Sequence, residues 1–407
     1  MEPAERPGWG GLPGWGDLPD SLLVALARKL PRRELRAARA ACAEWTKLTQ
    51  HVLELRLVGI SGAPRAGWPE RWLAVVRLQW QSPFAAGAEL GGLGGLPRLR
   101  HLEIDCETMT AAGADALAEA LGALPELRVL EVTQRSQVRG LQLYGGAPTY
   151  VYELRWGVRL LARLGQLRLE KLRVTCVLTA DGWLGDVARQ ASLTHLSLWR
   201  SRVAPPVLPE PLDLPDLETL DLSHSRGFRS LEWVAGLAAL RSLQLKDCRW
   251  LTASHVEWLA RAGPPLESLG LEMCYQLGDE GDVQGATAWQ QLRAIPTLTS
   301  LDVEDISLGA SGFARLAQAT QLRELKGVGV TDQALPSLAA LSELRTLSMK
   351  HSTLTDARLL SMVSRLTNLT ILNISGGCDV TAVGAAAARA VLTARAPGAR
   401  LGFEIAF

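Results

Sequence analysis

Cysteine is scarce in this 407-residue chain, and its six copies, Cys42, Cys106, Cys176, Cys248, Cys274 and Cys378, are never closely paired. That spacing argues against a disulfide framework or a zinc site and for reduced thiols. Lysine is equally rare, confined to Lys29, Lys47, Lys171, Lys246, Lys326 and Lys350, while arginine is abundant beside Ala, Gly and Pro, the bias of GC-rich coding. No apolar run approaches the ~20 residues of a membrane span, and the start, "MEPAERPGWGGLPGWGDLPD", lacks the apolar core of a secretory signal. A soluble intracellular protein is expected, without a membrane partner. The formal net charge of +1 removes any global electrostatic case for nucleic acid. Catalytic signatures are missing too: there is no H-E-x-x-H, C-x-x-C, G-x-S-x-G or G-x-x-x-x-G-K. No enzyme activity, metal or cofactor is expected.

What is present is a folded composition, 47% hydrophobic against 21% charged, and it is periodic. The pattern L-x-x-L-x-L recurs as "LRHLEI" from Leu99, "LRVLEV" from Leu127, "LEKLRV" from Leu169, "LTHLSL" from Leu193 and "LETLDL" from Leu217. It continues as "LRSLQL" from Leu240, "LESLGL" from Leu266, "LTSLDV" from Leu298, "LRELKG" from Leu322, "LRTLSM" from Leu344 and "LTILNI" from Leu369, with weaker copies from Val52 and Leu73. Most successive copies start within the roughly 20–29-residue period of leucine-rich repeats. In each, L-x-L is a short strand whose leucines face the core and whose intervening residues face out. Between strands, stretches such as "AAGADALAEALGAL", "SHVEWLARAG", "TAWQQLRAI", "FARLAQAT" and "DARLLSMVSRL" carry helical spacing. Thr110, Thr252, Thr331, Thr355 and Thr381 are placed to open such helices as caps. The fold expected is α/β: a leucine-rich-repeat solenoid, a horseshoe with a parallel inner sheet and outer helices, behind a small N-terminal helical head.

The third residue after L-x-L is small and polar in many copies: Ser201, Ser225, Cys248, Cys274 and Ser352. Such side chains can satisfy backbone groups at the turn out of the strand, so Cys248 and Cys274 are read as structural. The glycine stretch "ELGGLGGLPRL" reads as a loop entering a repeat. Between Leu127 and Leu169 the spacing is too long for one repeat, and an insertion near 134–160 holds Tyr144, Tyr150, Tyr152 and Trp156. A functional loop and a surface hairpin or degenerate repeat are both open there. The final "ARLGFEIAF" alternates as a terminal strand.

Residues 1–16 read as a flexible start, 17–50 as a helical head and 51–407 as the repeat domain. In the head, Leu18, Leu22, Leu26 and Leu30 form one helical stripe with Leu23 beside it, and Pro31 breaks the helix before an Ala-rich second one. Matches at Leu18, Pro19, Leu22, Leu23, Leu30, Pro31, Leu35, Arg39, Cys42 and Trp45 resemble the F-box, with Ser21, Ala27, Glu34 and Ala41 departing from its pattern. "LQLKDCRWLTASHVEWLA" likewise resembles the cysteine-containing repeat subtype common in F-box proteins. The resemblance implies docking of a Skp-family adaptor, linked to a cullin scaffold, through Leu18, Pro19, Leu22, Leu23, Leu26 and Leu30. It implies a non-catalytic substrate receptor of a ubiquitin ligase, acting on a target for proteolysis in cytoplasm or nucleus. The alternative is a protein-interaction scaffold, cytoskeletal or ciliary, with the head as a cap. Suppressed self-ubiquitination is then a second reading of the scarce lysines.

Target binding is expected on the concave face, where outward residues of neighbouring strands align. The candidates are His195, Trp199, Arg200, Asp221, His224, Lys246 and Trp250, since Trp and Arg favour interface anchors. Trp250 has a second reading as the cover of the turn below it. Trp233, Trp258 and Trp289 fall in helical stretches and read as core, and Glu272, Asp302, Glu304 and Asp305 form an acidic stretch further along.

Overall fold

The computed structural model of the chain describes residues 53–58, 73–85, 90–134, 164, 167–175, 177–178, 187, 190–203, 212–278, 288–331, 333–350, 352, 354–375, 380–396 and 398–404. The F-box-like head lies outside the described residues, as does the 134–160 insertion apart from Gln134. The chain divides into two compact units, Met1–Tyr144 and Gly145–Phe407.

In the first unit, β1 (Glu54–Val58), β2 (Arg77–Ala85), β3 (His101–Met109) and β4 (Val129–Gln134) pair in parallel and in chain order. The repeat leucines set the register, Leu78 opposite Leu102 and Leu102 opposite Leu130. Leu102, Ile104, Leu130 and Val132 are at most 1% exposed, and a buried aliphatic of this size contributes about 1.5–3 kcal/mol. Helix α1 (Ala111–Leu121) follows β3, and Thr110 caps it by accepting from the Gly113 N–H at 3.0 Å. The glycine stretch is not an open loop: Gly91–Gly95 forms a 3₁₀ helix. Its flanking Leu90 and central Leu93 are buried, and their three-residue spacing suits that tighter turn.

Among the described residues of the second unit, ten strands run parallel in chain order: β5 (Lys171–Val174), β7 (His195–Ser197), β9 (Thr219–Asp221), β10 (Ser242–Gln244) and β11 (Ser268–Gly270), then β12 (Ser300–Asp302), β13 (Glu324–Val328), β14 (Thr346–Lys350), β15 (Ile371–Ser375) and β16 (Arg400–Glu404). The short β6 (Val177–Leu178) and β8 (Arg202–Val203) form a separate parallel pair. Leu196, Leu220, Leu243, Leu269, Leu301, Leu325, Leu347 and Leu372 stand opposite one another and are buried, as period two requires. Helices α2 (Ala253–Ala262), α3 (Gly309–Leu316), α4 (Leu335–Leu338), α5 (Asp356–Arg365) and α6 (Ala382–Arg395) lie between later strands. Each turns an apolar stripe inward, for example Leu359, Met362 and Val363 of α5. One strand per repeat, in parallel and in leucine register, is the leucine-rich-repeat fold.

The cap threonines divide. Thr381 accepts from the Gly384 N–H at 3.2 Å, while the backbone N–H of Thr252 donates to His255 Nδ1 at 3.1 Å. Thr355 is an N-cap without a side-chain bond, and Thr331 precedes α4 without capping it, since Ala334 holds that place. Trp233 and Trp289 are buried and Trp258 is half-buried.

Candidate functional site

Five consecutive repeats of the second unit, those of β7 and β9 to β12, leave their strands through the same sharp turn. Two residues beyond the second apolar position of L-x-L, Arg200, His224, Asp247, Met273 and Asp305 all have φ between 48° and 60°. Asp and His tolerate this left-handed region, whereas Arg and Met reach it only where the surroundings impose it. The imposing force is an inter-repeat bond: the N–H groups of Arg200, His224, Asp247 and Met273 donate to the carbonyls of Ser223, Lys246, Glu272 and Glu304 at 2.6–2.9 Å.

The next residue inward closes the turn. Ser225 Oγ donates to the Leu198 carbonyl at 2.8 Å, Cys248 Sγ to Leu222 at 3.2 Å and Cys274 Sγ to Leu245 at 3.0 Å. Ser201 Oγ reaches the Val174 carbonyl at 3.4 Å, and Ser352 instead accepts from the Val330 N–H. These residues form a ladder that ties each repeat to the one before. Burial pushes the Cys274 thiol up to about 12 and that of Cys248 higher still, so neither is an available thiolate.

Outward residues of the strands form rows across the sheet. One runs Arg173, Ser197, Asp221, Gln244, Gly270, Asp302 and Lys326 in register. Toward the β5 side an aromatic and basic cluster gathers. The Arg173 and Arg200 guanidinium carbons lie 5.5 and 4.2 Å from the Trp199 ring centroid, and His224 meets the ring edge-on at 5.9 Å. His224 Nδ1 is 3.2 Å from Asp247 Oδ2, and Arg249 Nε is 3.3 Å from Asp247 Oδ1. Asp221 organises the face from within: it accepts from Ser197 Oγ and from the Ser223 N–H, both at 2.9 Å.

Toward β12 the face turns to lysine–carboxylate pairs. Lys246 pairs with Glu272, and Lys326 with Glu324 at 3.0 Å. Lys350 pairs with Glu304 across the intervening β13. Gly327, at φ +75° where the register shifts between Leu325 and Val328, makes that approach possible. Asp302 sits half-buried among these groups. Burial, and then the Glu272 carboxylate, raise its pKa against the pull of Lys326, Lys246 and Lys350.

That shift carries a sign. A carboxyl raised in the folded state opposes folding once both states are ionised, and the penalty vanishes at a pH where both are protonated. Asp302→Asn keeps an oxygen for the Glu304 N–H, which now donates to Asp302 Oδ1 at 3.1 Å. The variant is expected to raise the thermal midpoint by about 1–2 °C at about pH 7 and to leave it unchanged at about pH 3. A lower midpoint at the higher pH would show that lysine attraction dominates instead.

Of the expected site residues, His195, Trp199, Asp221 and Lys246 lie on the sheet face, and Arg200 and His224 in the turn column beside it. Trp250 does not join them. Its ring packs on Phe228 at 5.6 Å and His255 at 5.4 Å, and its Nε1 donates to the Ser225 carbonyl at 3.1 Å, so it covers the turn below the sheet. The structure adds Arg173, Asp247, Glu324, Lys326 and Lys350. Period two in "LEKLRV" already points Arg173 outward, and Lys171, Lys246, Lys326 and Lys350, the described lysines, all occupy outward strand or strand-exit positions. Among the described residues no group of three or more His, Cys, Asp or Glu is arranged to hold a metal ion, and no helix is long and apolar enough to cross a membrane.

No family model and no curated protein matches this chain. Among solved structures it is similar to an internalin (inlF) from Listeria monocytogenes str. 4b F2365, at 16% identity over 95% of this chain and 94% of that one, with a TM-score of 0.44. It is also similar to TLR13 in a TLR13–ssRNA13 complex, at 18% identity over 82% of this chain and 42% of that one, with a TM-score of 0.47. An internalin C2 from the same Listeria strain matches at 19% identity over 56% of this chain and 76% of that one, with a TM-score of 0.28.

Proposed function

We propose that this chain is a non-catalytic recognition subunit that captures a protein on the sheet face of its second unit. By the F-box resemblance of residues 17–50, it presents that protein to a ubiquitin-transfer assembly through a Skp-family adaptor and a cullin scaffold. The observation that carries the capture reading is Trp199, half-buried on the face with two guanidinium groups against its ring and continuous with rows of polar side chains. Trp and Arg fixed in this way are the anchors that protein interfaces favour. The ten described strands, spaced ~4.8 Å apart, give a face roughly 43 Å long on its contour, the scale of a protein interface rather than of a small metabolite. A receptor of this kind contributes proximity and orientation, for which no acid, base or metal of its own is required.

Co-purification with a purified Skp-family adaptor tests the assembly. Recovery is expected with the parent chain and to fall at least about tenfold with Leu22→Asp, which places a charge on the apolar stripe. Trp199→Ala should leave adaptor recovery unchanged while cross-linked protein partners drop about tenfold. Adaptor recovery that is nil or indifferent to Leu22→Asp removes the ligase role and leaves the scaffold reading. Partner capture indifferent to Trp199→Ala removes the face.

A further inference from the structure

The charges on the sheet face of the second unit are almost all answered from within. Asp221 serves Ser197 and Ser223, Asp247 is shared by His224 and Arg249, and Glu272 and Glu304 have Lys246 and Lys350. Two groups differ. Arg200 rests on the Trp199 ring and makes no ion pair among the described residues. Asp302 accepts only a backbone N–H and makes no ion pair among the described residues, although three lysines lie in its electrostatic neighbourhood. Both are half-buried, reachable from solvent and held in place, one by its ring and the other by its strand.

Their separation follows from the sheet. Arg200 leaves β7 and Asp302 ends β12, with β9, β10 and β11 between, so four strand spacings of ~4.8 Å put them roughly 20 Å apart. An extended chain rises about 3.3 Å per residue, so that distance corresponds to about six residues. Between them Gly270 carries no side chain, and the Gln244 side chain lies over it, so the neutral Gln244 amide is what a ligand would cross in front of Asp302.

We propose that the face takes one extended segment of a partner protein carrying an acidic and a basic side chain about six residues apart, the acid on Arg200 and the base on Asp302. This rests on the capture reading above and names the partner's chemistry. A cation delivered to Asp302 would offset the desolvation of its carboxylate, and a carboxylate on Arg200 would complete a cation already oriented by Trp199. The mixed charge disfavours a polyanion.

Fluorescence anisotropy with labelled synthetic peptides tests it at low salt. Gly/Ser peptides carry one Asp and one Arg six residues apart in either order, with the same composition at a spacing of two, an all-acidic peptide and a single-stranded oligonucleotide as comparisons. One six-residue order is expected to bind about tenfold more tightly than the short spacing. Arg200→Glu and Asp302→Lys should each weaken it about tenfold, and the double variant should prefer the opposite order. Arg200→Gln and Asp302→Asn, checked to melt no lower than the parent, serve if the reversals disturb folding, and each should still lose several-fold. Equal binding of the two spacings, no binding at all, or tighter binding of the acidic peptide or oligonucleotide overturns the proposal. If the peptides fail while Trp199→Ala still abolishes partner capture, only this inference falls.

Discussion

Gly327→Ala is expected to destabilise the second unit by about 2–4 kcal/mol, read as a lower denaturant midpoint. A Cβ at this position would lie 2.2 Å from Glu304 Cα, 2.4 Å from its Cβ and 2.5 Å from its backbone nitrogen. These are backbone neighbours that cannot rotate away, and φ is +75° besides, where an L side chain is strained. Relief requires β13 to move off β12. That movement breaks the bond from the Val303 N–H to the Lys326 carbonyl, now 3.0 Å, and separates Glu304 from Lys350. Hydrogen exchange at Val303 should accelerate with the loss of stability. Gly398→Ala, where a Cβ meets nothing within 4 Å, is the matched control. A Gly327→Ala midpoint within about 0.5 kcal/mol of the parent would contradict the close packing of β12 on β13.

Trp233→Ala is expected to cost about 3–5 kcal/mol, the range for emptying a large core site. Trp233 is 1% exposed, stacks on Phe228 at 5.8 Å and donates Nε1 to the Ser230 carbonyl at 3.1 Å. Phe228 in turn supports Trp250, so the cavity would loosen the turn beneath the sheet. Trp199→Ala should cost no more than about 1 kcal/mol, because its ring is half-exposed and its ring contacts are with Arg173, Arg200 and His224 rather than with core aliphatics. Urea midpoints of the two variants separate core from face. Equal losses would make Trp199 a core residue and end its candidacy as an interface anchor.

Much of this was legible from residue order. Leu220, Leu243 and Leu269 are buried opposite one another because a two-residue period leaves them no other face. Cys248 and Cys274 recur at the turn where a carbonyl needs a partner, so their structural role follows from position. Trp199 and Trp250 could not be separated in that way, since both follow a strand. Trp199 stands one residue past buried Leu198 and keeps the outward alternation. Trp250 lies beyond left-handed Asp247, where the chain has already turned under the sheet.

Residue order by itself determined the repeat, the parallel direction of the strands and the division of side chains between core and face, because each depends on local periodicity and on which groups must leave water. Tertiary structure decided which charges on the face answer one another. Glu304, just past β12, and Lys350, at the end of β14, belong to strands that are not neighbours in the sheet, and they meet across Gly327, which has no side chain to stand against Glu304. Arg200 and Asp302 make no ion pair among the described residues, although three lysines act on Asp302 from beyond pairing distance. Pairing depends on how far a side chain reaches across strands set at a fixed spacing, and that distance exists only once the repeats are stacked.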